Sequence, residues 1–94
     1  MQDIDELTTA REAAIVREVV GKLPLPPNVR GYDIEFGEDS TGYPSVWISL
    51  TIEDELNPSP QVISALSRFV DEVTDELVRR RLRHWPYIRY RPAA

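Results

Sequence analysis

The sequence predicts a single small α+β domain in two layers, with the element order α-β-β-α-β, a three-stranded mixed sheet and both helices on one face of it. Three observations predict this. Apolar residues recur at helical spacing in two stretches, they alternate with polar residues in others, and prolines or glycines stand between the elements. With 94 residues there is room for one hydrophobic core.

Residues 1–8 read as a flexible N-terminus ahead of a domain spanning residues 9–92. Thr9 and Glu12 stand at capping-box spacing, in which each side chain meets an orphan backbone amide of the other. Val16, Val19, Val20 and Leu23 follow at helical spacing, so the first helix is expected from about Ala10 to Lys22. Pro24, Pro26 and Pro27 end it. Tyr32, Ile34 and Phe36 alternate with Asp33 and Glu35, the period of a half-buried strand. The segment Gly37–Ser45 then reads as a long hairpin loop with Glu38 and Asp39 at its tip. In the second strand Val46, Ile48, Leu50 and Ile52 point one way, and Trp47, Ser49 and Thr51 the other.

Ser59 can cap the second helix and Pro60 suits its first position, a pairing that Asn57–Pro58 offers two residues earlier. Val62, Leu66, Phe69, Val70, Val73 and Leu77 form its apolar stripe. Running to about Arg83, this helix would be roughly 36 Å long. An eight-residue strand reaches only about 26 Å, so the arginine-rich end should overhang the sheet near Glu38 and Asp39. Pro86 opens a short third strand, Tyr87–Arg91. A right-handed crossover makes strands two and three parallel. The apolar second strand belongs in the centre, while the charged first strand and the proline-bracketed third are edges protected against stray pairing.

Charge is divided by position. All sixteen acidic residues lie between Asp3 and Glu76, whereas the last sixteen residues carry six arginines, one histidine and no acid. Folded as above, the open sheet face runs from acid (Asp33, Glu35) through Trp47, Ser49 and Thr51 to Tyr87, Arg89 and Arg91. Trp47 is expected to be exposed there, between opposite charges. Aromatic and arginine residues are the usual anchors of interfaces. The candidate interaction residues are therefore Trp47, Tyr87, Arg89 and Arg91, with Arg79, Arg80 and Arg83 at the helix end. The partner would be another protein or a second copy of the chain, since a two-fold axis along the strands sets acid over base.

Other chemistries find little support. The chain has no cysteine, which excludes disulfides, thiol catalysis and cysteine-ligated zinc. Its one histidine, His84, cannot supply a histidine-based metal site. Glycines 21, 31, 37 and 42 are scattered and make no phosphate-binding loop. Of the run Asp71, Glu72, Asp75 and Glu76, the last three stand four residues from Arg68, Arg79 and Arg80 respectively, the spacing of helix-surface ion pairs. Glu53, Asp54, Glu55 and Asn57 lack the ligand spacing of a calcium loop. No apolar run approaches the ~18 residues of a membrane span, and the acidic start is the reverse of a signal-peptide front. A cytoplasmic, non-catalytic domain without cofactors is expected.

The ending Leu82–Arg83–His84–Trp85–Pro86–Tyr87–Ile88–Arg89–Tyr90 resembles that of ribosome-binding factor A proteins, where a helix closes with leucine-arginine and a proline leads into an apolar-x-aromatic strand. The element order over residues 10–91 is similar to that family's K-homology-type domain. The resemblance implies an RNA- or ribosome-associated role for the arginine and aromatic segment. The net charge of −5 opposes the phosphate neutralisation on which such binding depends. A protein-interaction module is the leading expectation, with RNA binding second.

Overall fold

A computed structural model describes residues 2–53 and 59–93, with side chains from Leu7 onward. Its elements follow the expected order: α1 (Gln2–Lys22), β1 (Val29–Glu38), β2 (Pro44–Ile52), α2 (Pro60–Arg79) and β3 (Trp85–Pro92). β2 is the central strand, antiparallel to β1 and parallel to β3. Val16, Val19 and Val20 of α1 share one apolar cluster with Phe69, Val73 and Leu77 of α2 and with Ile48 and Leu50 of β2. Ile34 from β1 and Ile88 from β3 extend it across the sheet, each opposite Ile48. The alternating apolar residues of β2 thus supply one wall of the core and the two helix stripes the other.

α2 starts as its sequence dictates. Ser59 is extended (φ −68°, ψ 156°), its Oγ accepts from the Val62 amide at 3.2 Å, and Pro60 takes the first turn. The alternative start at Asn57–Pro58 lies outside the described residues, as do Asp54, Glu55 and Asn57.

Four boundaries differ from expectation. α1 begins at Gln2 rather than near Ala10, so Thr9 sits inside the helix and caps nothing. Nothing between Gln2 and Val20 breaks a helix, and the Glu12 carboxylate is engaged elsewhere. It is buried, and it accepts from the backbone amides of Arg83 (2.8 Å) and His84 (3.1 Å) and meets His84 Nδ1 at 2.8 Å. The hairpin loop is shorter than Gly37–Ser45, because β1 runs through Glu38 and β2 starts at Pro44. Asp39 organises the five residues between them, its Oδ1 accepting from the amides of Thr41 (2.9 Å) and Tyr43 (3.0 Å) and from the Thr41 hydroxyl (2.6 Å). Gly42 supplies the left-handed backbone (φ 83°) that this turn needs. β3 is also longer than Tyr87–Arg91, pairing with β2 from Trp85 to Pro92.

The fourth difference concerns the arginine-rich helix end, which is one turn shorter than the spacing suggests. α2 stops at Arg79, Arg80 caps it, and Arg81 takes the left-handed conformation (φ 55°) that turns the chain back toward β3. An L-residue there costs roughly 1–2 kcal/mol, a cost that glycine escapes. Arg81→Gly is therefore expected to raise stability by about 0.5–1 kcal/mol in urea unfolding, after some offset from the freer unfolded chain. A lowered midpoint would show that the Arg81 side chain contributes more than its backbone costs.

Candidate interaction surface

The sheet presents its second face through rungs read directly from the register. Glu35, Trp47 and Tyr87 stand abreast, then Asp33, Ser49 and Arg89, then Gly31, Thr51 and Arg91. Each rung runs from β1 across β2 to β3, so acids line one side and arginines the other. Asp33, Glu35, Tyr87, Arg89 and Arg91 are all exposed.

Trp47 is not the freely exposed tryptophan its position predicts; it is half-buried. Its ring stacks beside that of Tyr87, with centroids 6.1 Å apart and planes 19° from parallel. The Arg89 guanidinium carbon stands 6.0 Å from the indole centroid, within cation–π range. Gly37 makes room on the β1 side, where a Cβ would lie 3.1 Å from the indole Cζ3. Alternation correctly predicted the face but could not predict what covers it.

The arginines of β3 lean one rung along the strand. Arg89 donates through Nε to the buried Ser49 hydroxyl at 2.7 Å, and through a terminal nitrogen to Glu35 at 3.3 Å. Arg91 reaches Asp33 at 3.3 Å. Both ion pairs are exposed on each side, so each contributes about 0–1 kcal/mol and leaves its charges solvated. Tyr87 donates its hydroxyl to Asp39 at 3.0 Å, tying β3 to the hairpin turn. The Thr41 hydroxyl, with the Tyr43 and Thr41 amides and the Tyr87 hydroxyl, holds the Asp39 carboxyl down at about 2 against the opposing effect of desolvation. The same bond raises the Tyr87 phenol above its ordinary value, with help from burial and the Asp39 charge. Trp85 belongs to this surface as well, two residues before Tyr87 and 47% exposed. Its membership was legible in the strand alternation once β3 is extended to include it.

The other arginines lie elsewhere. Arg79 pairs with Glu76 at 2.6 Å, and Arg80 with Glu76 at 3.2 Å and with Glu18 of α1 at 3.4 Å. Only the Arg80–Glu18 pair links the two helices, and the others lie along α2, so Arg79 and Arg80 do not join Trp47, Tyr87, Arg89 and Arg91 on the sheet face. The Glu76–Arg80 pair has the expected spacing, whereas Arg79 turns to Glu76 rather than Asp75. Arg83 and His84 line a cleft of about 310 Å³ with Thr8, Thr9, Phe36 and Glu38. Arg83 thus does come near Glu38, as expected, while Asp39 is taken up by its own turn. Tyr90 points to the helix side, where burial and then the Asp71 charge raise its phenol pKa.

Among the described residues no group of three histidine, cysteine or carboxylate side chains could hold a metal ion, and no helix is long and apolar enough to cross a membrane. Fold and surface together define a small mixed-sheet domain with a charge-divided aromatic face. No family model matches the chain, and no curated protein or solved structure matches it either.

The turn that leads into β3 is tied to α1 by Glu12, whose spacing from Thr9 suggests a helix cap instead. Burial opposes its ionisation, yet the His84 ring, the Arg83 and His84 amides and the His84 charge together outweigh burial and leave its pKa below the ordinary carboxylate value of 4.5. An ionised carboxylate only accepts, so His84 Nδ1 carries the proton and donates. A carboxyl with a lowered folded pKa contributes its stability above its unfolded pKa, and that contribution is lost as pH falls through the folded value. Glu12→Gln is expected to cost about 1–3 kcal/mol at pH 7, the penalty for poorly satisfied buried donors. The difference from wild type should shrink as pH falls below the ordinary carboxylate value and Glu12 takes up its proton in the folded state. A difference that stays constant from pH 7 to pH 3 in urea titrations would contradict the assignment.

Proposed function

We propose that this chain is a small, non-catalytic, cytoplasmic interaction module that binds protein through its open sheet face. The observation that carries the reading is the Trp47–Tyr87 stack with Trp85 beside it, set between solvated acids on β1 and arginines on β3. A compact aromatic centre with a polar, charged rim is the composition of an interface hot spot. The single histidine supports a non-catalytic reading, because its Nδ1 is committed to Glu12 in holding the α2–β3 turn. Tyr87, Arg89 and Arg91, with the half-buried Trp47 at their centre, are the contact residues of this reading.

A second reading, RNA or ribosome association, is favoured by the exposed Trp85 and Tyr87 on a sheet with arginines nearby. Aromatic platforms of this kind stack single-stranded bases. It ranks second because Arg79, Arg80, Arg89 and Arg91 each already pair with a carboxylate. A phosphate would have to displace an acid at every one of them, and the acids would repel it.

The test is fluorescence anisotropy with a labelled single-stranded RNA at about 0.1 M salt, together with the 260/280 nm ratio of protein purified without nuclease. The interaction-module reading predicts protein free of nucleic acid and no saturable binding up to about 100 µM, weaker than the usual non-specific range. Micromolar RNA binding that Arg83→Ala and Arg89→Ala weaken would reverse the ranking.

A further inference from the structure

The charge pattern of the open face narrows its partner. We propose that the occupant is a second copy of this chain, packed face to face about a two-fold axis that runs along β2; the inference rests on the open-face reading above.

The two-fold axes that bring this face against itself lie parallel to the sheet, and their limiting directions are across the strands and along them. An axis across the strands sets β1 over β1 and β3 over β3, so Asp33 and Glu35 meet their own copies and Arg89 and Arg91 meet theirs. An axis along the strands sets β1 of one chain over β3 of the other, and only this arrangement is complementary. The rungs then fix the contacts. Asp33 and Arg89 share a rung, so Asp33 of one copy faces Arg89 of the second. Within its own chain Asp33 is held by Arg91, and Arg89 by Glu35. The one-rung lean of the arginines therefore produces an alternating ladder, in which each Asp33 lies between its own Arg91 and the other copy's Arg89. Trp47, on the central strand, lies at the axis against its counterpart. Glu35 faces Tyr87 of the second copy.

Edge-to-edge assembly is the competing way to pair copies, and β3 resists it. Pro86 and Pro92 bracket that strand and offer no backbone N–H. The face also sets the strength expected. Three strands about 4.8 Å apart and eight residues of about 3.3 Å each give roughly 14 by 26 Å. Two such faces with their side-chain relief bury on the order of 1,000 Å², the lower limit for a specific interface. The dimer should be a micromolar one, and screening of its exposed charges should weaken it as salt rises.

Sedimentation equilibrium over about 1–500 µM tests this with a charge swap, circular dichroism confirming that each variant folds. Arg89→Glu/Arg91→Glu makes the face acidic throughout, and Asp33→Arg/Glu35→Arg makes it basic throughout. Wild type is expected to self-associate with a dissociation constant of roughly 1–100 µM, weakened at least several-fold between about 0.05 and 0.5 M NaCl. Each variant alone should be a monomer, and an equimolar mixture should restore the dimer. If either double variant fails to fold, Arg89→Gln/Arg91→Gln should still weaken wild-type association at least tenfold. A wild type that stays monomeric to 500 µM overturns self-pairing and leaves the face for a different protein. A dimer that survives both reversals forms through another surface, which overturns self-pairing across this face and again leaves the face for a different protein.

Discussion

A single carboxylate holds the end of α2, the start of β3 and the middle of α1 in one place. Glu12 is buried and accepts two backbone bonds and a ring bond from Arg83 and His84, seventy-one and seventy-two residues away in sequence. A buried charge is tolerated only when its bonding capacity is filled, and here the α2–β3 turn fills it with donors that would themselves be orphaned. Six residues further along α1, Glu18 takes Arg80. The same helix thus grips the end of α2 twice, once by a buried carboxylate and once by an exposed pair. The buried contact carries most of the constraint, since exposed ion pairs contribute little.

From that anchor the open face follows. The turn delivers Trp85 opposite Ser45, so that Tyr87 arrives beside Trp47 and Arg89 beside Ser49. The Asp39 turn makes the second tie, through the Tyr87 hydroxyl. The segregation of acids and arginines along the sequence then becomes intelligible. A chain that puts acids on its first strand and arginines on its last, with a neutral aromatic strand between, makes a face divided by charge in a single sheet. The division is internally matched by weak, solvated pairs, which leaves it able to be matched a second time by an opposing surface.

Much of this was legible in the residue types. Alternation in residues 46–52 identified the central strand and its two faces, Ser59–Pro60 marked the start of α2, and the helical spacing of Val16, Val19 and Val20 found the buried stripe of α1. What escaped was long-range or conformational. The Thr9–Glu12 spacing matches a local cap, but the spacing carries no sign that the carboxylate is claimed by residues 83 and 84. The end of α2 was missed because Arg81 turns the chain where glycine or asparagine would have announced a left-handed cap. The same overrun would put the helix-end arginines near the hairpin turn at Glu38 and Asp39, whereas Arg79 and Arg80 bind Glu76 and Glu18. Trp47 was put on the right face but read as bare, because strand periodicity says nothing of Gly37, Tyr87 and Arg89 closing around it.

Native-state hydrogen exchange at the amides of Arg83 and His84, followed by NMR at neutral pH, tests the hold of Glu12 most directly. If Glu12 ties this turn into the core, both amides will exchange only through global unfolding, as slowly as those of Ile48 and Leu50 on β2. Exchange at the rate of an open surface turn would mean that the carboxylate does not hold them, and that β3 takes its register from the sheet alone.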